Sequence, residues 1–498
     1  MSTIDQDRAD LLRTRRDFFR TAGCAALSSI GIASTIRDFR LVNSALAQGS
    51  GPYSFPDYKA LVCIFLSGGN DSNNLVIPRG AGHSNYAAIR QNLTIPESAL
   101  LPLTTLNSDG NEYGLHPACP ELANLFHAKK VAFLFNVGPL LFPTTRVQYQ
   151  KKTVALPPQL FSHSDQVTHW QTSLPDLPPR TGWGGRIADL LHPYQNELLN
   201  DPADRAKISL CTSIAGANTF EVGSSVQQYH VSTSGAVTLS GAAPGSAREG
   251  VVRNLAQLPQ HNLQTNVLGD IIDDAIATGA QLNTAIAPTA SWTWATPFPV
   301  TSIGNQLKMI ARIIAGRNEL KIKRQIFFVS VGGYDTHTSQ VGAGDDPLTG
   351  NHANLLGELS EGIAAFQGAI EQIAAHATYG DPNLANSVVG FTASDFGRTF
   401  PTNGQGSDHG WGGHHIVFGG NGDPTTGAVR GQHTYGTFPV HQINGPDDTS
   451  TGRWIPTTSV DEYSATLAKW FGVDANHLSV VFPNVGRFAN PDLGFLHA

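Results

Sequence analysis

Cysteine is scarce, with four residues in a chain of 498. Cys24 falls in the leader described below, which leaves Cys63, Cys119 and Cys211, an odd number. No CxxC or HExxH pattern and no phosphate-binding P-loop is present. These absences exclude a paired-cysteine zinc site, a helix-borne metalloprotease motif and a Walker-type nucleotide site. A redox role would also lack a cysteine or histidine cluster to hold its cofactor. One disulfide among the three remaining cysteines is compatible with an oxidising compartment, with the pairing open. Cys63, inside an apolar run, is expected to be inert.

Charge is sparse too. Charged residues make up 14% of the chain, the formal net charge is −7, and no long basic run follows the first forty residues. A nucleic-acid partner is therefore not expected, because the electrostatic footprint is missing. The apolar stretch from Thr21 to Ile36 is too short, and too rich in glycine and serine, to span a bilayer. No stable membrane anchor is expected. There is no internal repeat and no linker long enough to separate two domains.

The residues that are present describe a globular chain with many loops: 40% hydrophobic, 51 glycines and 30 prolines. Thr14-Arg15-Arg16-Asp17-Phe18-Phe19-Arg20 has the twin-arginine pattern, and Ala45-Leu46-Ala47 offers small residues for cleavage before Gln48. Residues 1–47 read as a twin-arginine signal peptide. The expectations are export, the twin-arginine translocation machinery as a partner, and a periplasmic or extracellular location. Residues 48–498 read as one domain.

Three apolar runs end in polar loops. Leu61 to Leu66 ends in SGGND and delivers Asp71; Ile326 to Val331 ends in GGYDTH and delivers Asp335 and His337. Ser387 to Phe391 leads into a glycine-rich loop with Asp395, Arg398, Asp408 and His409. Runs of this kind suit strands buried on both faces. Parallel strands in one sheet would bring the carboxylates and imidazoles to a single edge, where ligands bind in open α/β sheets. Carboxylates that close repel each other, and a divalent cation resolves the conflict. His414 and His415 are read as solvated loop residues. A fourth run, Val131 to Val137, leads towards FSHSDQ and GWGGR.

Leu307, Ile310, Ile313 and Ile314 fall on one helical face, as do Leu356, Leu359, Ile363, Phe366, Ile370 and Ile373. Ser459-Val460-Asp461-Glu462 has the form of a capping box. Helices alternating with strands give an α/β class with right-handed crossovers. Residues 206–300 change character and are expected to form an insertion or cap, partly β, with a helix near Asn266 to Thr278.

Taken together, RRDFF, LSGGNDSNNLVIP, FSHSDQ with GWGGR, GGYDTHTSQ, and SDFGRT followed by SDHGWGG resemble one family. It is the secreted bacterial family filed as domain of unknown function 1501, regarded as a distant branch of the alkaline phosphatase-like superfamily. The resemblance implies a three-layer α/β/α sandwich with a central, mostly parallel sheet and a metal site at its carboxyl edge. Asp71 would stand where the superfamily's first-strand aspartate binds metal. Asp335 and His337 resemble its aspartate–histidine pair, at a closer spacing than usual. Asp395 matches the aspartate of an Asp-His dipeptide in which Phe396 replaces the histidine. His409 would be the last histidine ligand, with Asp408 beside it. FSHSDQVTHW is similar to the nucleophile region of the nucleotide pyrophosphatase branch, which makes Ser162 and Ser164 the candidate nucleophiles.

The expected function is hydrolysis of phosphate or sulfate esters, small or polymeric, by one or two divalent ions held by Asp71, Asp335, His337, Asp395, Asp408 and His409. A carboxylate-rich set suits Zn²⁺, Mg²⁺, Mn²⁺ or Ca²⁺. Arg398 or Arg186 would hold the anionic oxygens. The alternative is a non-catalytic exported binding or assembly protein on the same fold.

Overall fold

The computed structural model describes residues 55–197, 208–237, 245–258 and 263–497. The twin-arginine segment with Cys24, and the run at Thr238 and Leu239, lie outside the described residues.

Thirteen strands occur among the described residues. In chain order they begin with β1 (Lys59–Leu66), β2 (Val76–Pro78), β3 (Leu101–Leu103), β4 (Tyr113–Leu115), β5 (Val131–Gly138), β6 (Cys211–Ser213) and β7 (Tyr229–Ser232). They continue with β8 (Gly235–Ala236), β9 (Arg324–Val331), β10 (Val388–Ser394), β11 (Gly413–Gly419), β12 (Thr434–Tyr435) and β13 (Thr458–Ser459). Ten of them form the central sheet in the order β12-β5-β11-β10-β1-β9-β6-β7-β8, with β13 also paired to β5. The remaining β2, β4 and β3 make a small antiparallel sheet.

The middle of the sheet is parallel, because β1 runs with β10 on one side and with β9 on the other. Only β11 and β8 run against their neighbours. The register decides where the loops emerge. Leu66 lies opposite both Ser394 and Val331, so the three central strands stop at one level.

The apolar runs form strands because both faces are covered. Ala60, Val62, Ile64 and Leu66 pack in one cluster with Leu307, Ile310, Leu356 and Phe366 of the helices Ser302–Ala315 and Asn351–Ala374. On the other face the rings of Trp183 and Tyr463, from the helices Trp183–Glu197 and Val460–Phe471, lie 5.6 and 6.0 Å from the Phe391 ring. At about 1.5–3 kcal/mol for each fully buried large aliphatic or aromatic side chain, these two interfaces dominate the stability. The result is a three-layer α/β/α sandwich.

The helices begin where the sequence places their caps. Ser459 accepts from the Glu462 amide while the Glu462 carboxylate accepts from the Ser459 amide, closing the expected capping box. The stretch read as an insertion or cap contributes β6, β7 and β8 to the edge of the central sheet, together with the helices Ala247–Ala256 and Leu263–Ile286. Cys63, Cys119 and Cys211 are free and buried, so no disulfide joins them. Among the described residues no helix is long and apolar enough to cross a membrane.

Candidate metal centre

Because β1, β9 and β10 end at one level, their loops meet immediately beyond the sheet. Close approach fixes two glycines in the first loop. A Cβ on Gly68, which has φ +116°, would lie 2.4 Å from the Asp335 amide nitrogen, and one on Gly69 would lie 2.4 Å from the Phe396 ring. The Gly68 amide donates to Asp395 Oδ1 (3.0 Å), and its carbonyl accepts from Arg398 Nη1 (3.0 Å). Arg398 Nη1 also donates to Asp335 Oδ1 at 2.7 Å, and Nη2 donates to the Ser407 carbonyl. One glycine therefore ties three loops together.

Three imidazoles surround Asp335. His163 comes from the start of the helix His163–Thr172, reached by the long connection after β5. His337 follows β9, and His409 precedes β11, the antiparallel strand that begins at this same edge. Asp335 Oδ1 lies 3.1 Å from His337 Nε2 and 3.5 Å from His409 Nε2, while Oδ2 lies 3.6 Å from His163 Nε2. Ligand atoms of His163, Asp335 and His409 all fall within 4.8 Å of one another. The Nε2 atoms of His337 and His409 are 2.9 Å apart.

The other nitrogen of every ring is anchored. His163 Nδ1 donates to Asp395 Oδ2 (2.7 Å), His337 Nδ1 to Asp408 Oδ1 (2.8 Å), and His409 Nδ1 to the Phe161 carbonyl (2.7 Å). A carboxylate or a carbonyl can only accept, so the tautomers inferred from these partners put the proton on Nδ1. In the neutral rings the Nε2 lone pairs then converge on Asp335. Two lone pairs 2.9 Å apart beside a carboxylate repel unless a cation lies among them. Imidazoles oriented through Nδ1 by acceptors are also how histidine ligands are held at metal sites. The residues present therefore fit a divalent ion.

Electrostatics agree with that reading. Burial pushes the Asp335 carboxyl up, but the hydrogen bond and charge of Arg398, with His337 and His163, bring it below its ordinary range. Asp408 is likewise lowered, as bonds from Asn403 and His337 outweigh its desolvation. Burial holds the His409 imidazole below its ordinary value, opposed by the Phe161 carbonyl and reinforced by neighbours that include the Arg398 guanidinium. The ring of Phe396 lies against His163 and His409, with centroids 4.9 and 4.7 Å away, and forms an apolar floor.

The expected ligands thus separate into groups. Asp335, His337 and His409 meet directly, while Asp395 and Asp408 stand behind the rings as their acceptors. Asp71 is elsewhere: it is fully buried, and its carboxylate accepts from Arg90 and Gln340, and from Asn73 at 3.2 Å. Ser162 Oγ donates to Asp165 Oδ2 at 2.6 Å and lies 3.3 Å from Ser164 Oγ, one residue before His163. Arg186 is spent on the carbonyls of Val481, Thr181 and Thr172.

His163 is the residue that sequence reasoning missed. Its signal was its place beside Ser162 in FSHSDQ, but nothing local reveals that the chain after β5 returns to this edge. His414 and His415 require a correction. They are buried residues of β11 rather than solvated loop residues, because Ile416, Val417 and Phe418 draw the whole segment into the sheet.

No curated protein matches the sequence. Two crystal structures of Ps i-CgsB are among the similar solved structures. One, in complex with k-i-k-neocarrahexaose, has 9% sequence identity and a TM-score of 0.31, covering 87% of this chain and 77% of its own. The other has 10% identity and a TM-score of 0.29 over the same shares. Similarity that low bears on neither activity nor substrate. Residues 58–483, which include all of the central sheet and the whole histidine–aspartate cluster, match the family described as protein of unknown function (DUF1501), and the chain belongs to that family.

Proposed function

We propose that this chain is an exported, metal-dependent hydrolase of phosphate or sulfate esters, built on an alkaline phosphatase-like fold. One observation carries the reading: three imidazoles, each anchored through Nδ1, turn their Nε2 atoms towards Asp335. A bound divalent ion would polarise an ester oxygen and ease deprotonation of the nucleophile. His163, Asp335 and His409 would hold it, with His337 alongside. Imidazole donors favour zinc over magnesium, manganese or calcium. Asp335 and the three rings keep 23–46% of their side-chain surface accessible, which leaves room for a substrate.

The chain's own residues supply the remaining parts. Ser162, one residue before His163, offers a hydroxyl, and Asp165, which accepts its hydrogen bond, is placed to take the proton as Ser162 Oγ attacks the phosphorus or sulfur. The ester bond to the alcohol oxygen then breaks, and the alkoxide leaves to take a proton from water. Asp395, Asp408 and Phe161 keep the rings in one tautomer and orientation. Arg398 holds Asp335 in place. The twin-arginine pattern supports export through that machinery.

Elemental analysis of the exported protein, purified without chelator, tests the reading. It expects one or two equivalents of a divalent metal, lost in His163→Ala and Asp335→Asn. Absence of metal, with no thermal stabilisation by added zinc, manganese, magnesium or calcium, sinks it. The engagement of both Arg398 and Arg186 favours a second reading, a non-catalytic binding or assembly protein with a structural ion. Turnover on a panel of phosphate and sulfate esters, lost in a folded Asp335→Asn variant, would reject that alternative.

A further inference from the structure

We propose that Arg453 is the residue that receives the anionic oxygens of the substrate. The proposal rests on the reading of the site as an ester hydrolase, and it supplies the cation which that reading lacks. The two arginines singled out by sequence are consumed. Arg398 is fully buried and bonded to Asp335, Gly68 and Ser407, and Arg186 is bonded to three backbone carbonyls. A site containing Asp335, Asp395 and Asp408 would repel a phosphate or sulfate unless another cation faced it.

Arg453 stands against the cluster. Its Nε donates to the backbone carbonyl of His409 at 2.7 Å, and its guanidinium lies 4.3 Å over the ring of Phe161. Phe161 is the residue whose carbonyl anchors His409 Nδ1, and it holds a left-handed backbone at φ +74°, which is rare for an aromatic residue. Arg453 is thus fixed both to His409 and to the residue whose carbonyl anchors its ring. Its own backbone is pinned as well, since the amides of Ser450, Gly452 and Arg453 all donate to Asp448 Oδ1.

Arg453 keeps its terminal groups available. Asp448 is saturated by backbone amides and forms no ion pair with it, and among the described residues neither Nη of Arg453 has a hydrogen-bond or ion-pair partner. The side chain is half-buried rather than solvated. With Nε committed and the guanidinium held over an aromatic ring, the two Nη groups remain as a pre-oriented fork. That fork matches two oxygens of a tetrahedral anion, and its ordering has been completed before the ligand arrives.

The test is calorimetric titration of the full-length exported protein with inorganic phosphate and with inorganic sulfate, with metal content measured on each sample. Arg453→Ala is expected to weaken binding of the preferred anion by about 10- to 100-fold while the metal content stays at the wild-type value. Arg453→Lys, which keeps the charge but loses the fork, is expected to fall between the two. If Arg453→Ala also sheds metal, through its loss of the His409 contact, Arg453→Lys decides. Retained metal with weakened anion binding supports the proposal; wild-type anion affinity overturns it. Unchanged affinity in Arg453→Ala, or a wild-type protein that binds neither anion, also overturns it. Metal absent from the wild type would reject the hydrolase reading separately, and loss of anion binding in metal-free Arg453→Ala would still support the role of Arg453.

Discussion

Asp71 and Asp335 occupy equivalent places, each a few residues beyond a central parallel strand, yet their surroundings differ. Asp71 is closed. It has no accessible surface and is saturated by Arg90, Gln340 and Asn73. Asp335 is open: 46% of its side chain is accessible, and with each ring's proton assigned to Nδ1 by its partner, three imidazole lone pairs face it. A charged residue whose partners are all internal stabilises a fold. One whose neighbours repel until something binds marks a site. Identical motif positions do not separate these roles; the completeness of the partner set does.

The largest expected effect would break the closed half of that contrast. Arg90→Ala leaves the Asp71 carboxylate buried without its cation, which should cost about 3–5 kcal/mol. Urea denaturation should show that loss while any metal content per folded molecule is unchanged. Falling metal content would instead mean that Asp71 belongs to the open cluster.

Next comes the open half. Asp395→Asn leaves one buried acceptor oxygen for two donors, the Gly68 amide and His163 Nδ1, and should weaken metal binding by roughly 10- to 100-fold, measured by competition with a chelating dye. Asp408→Asn should weaken it less, because Asp408 is 48% accessible and water can replace it behind His337. Equal effects would show that burial of the supporting carboxylate does not matter.

The pH dependence of stability sharpens the contrast through a third carboxylate. Burial raises the Asp71 carboxyl, but the charge of Arg90, with His352 and two hydrogen bonds, holds it below its ordinary value of 3.8. Its contribution is present above pH 3.8 and is lost as pH falls through the depressed folded value. Glu221 is equally buried but has no cationic partner among the described residues, and desolvation pushes it up to about 8 from 4.5. The folded state then holds an extra proton, so the contribution of Glu221 is full below pH 4.5 and is lost as pH rises through about 8. Glu221→Gln should remove that loss, gaining stability at pH 8, where the buried carboxyl would otherwise ionise, and little at pH 4.5. Thermal melts at the two pH values check this, and parallel curves for variant and wild type would contradict it.

The smallest effect concerns a feature written locally in the sequence. Ser459→Ala opens the capping box of the helix Val460–Phe471 and should cost about 1 kcal/mol, with metal content unaffected.

Much of the fold was legible because it rests on short-range rules. The apolar runs of β1, β9 and β10, the helical spacing from Leu356 to Ile373, and the Ser459–Glu462 box each state their structure within a few residues. The loop carboxylates were legible for the same reason, since a strand's end determines where its loop begins. His163 was not, because its approach depends on the path of the chain between β5 and the helix His163–Thr172 and on the left-handed turn at Phe161. Asp71 and Arg398 were legible as residues but not as partners. Arg90 and Gln340 come from separate segments, and nothing local says that they reach Asp71 first.

By itself the sequence determined the alternation of strands and helices, the faces that bury, and the charged residues that would lie beyond one sheet edge. Only the tertiary structure decided which of those residues neutralise one another and which are left facing a common point. The physical reason is range. Hydrophobic periodicity and capping act between near neighbours in the chain, whereas the demand for a cation is a property of lone pairs and charges brought within a few ångströms by strand register and loop path.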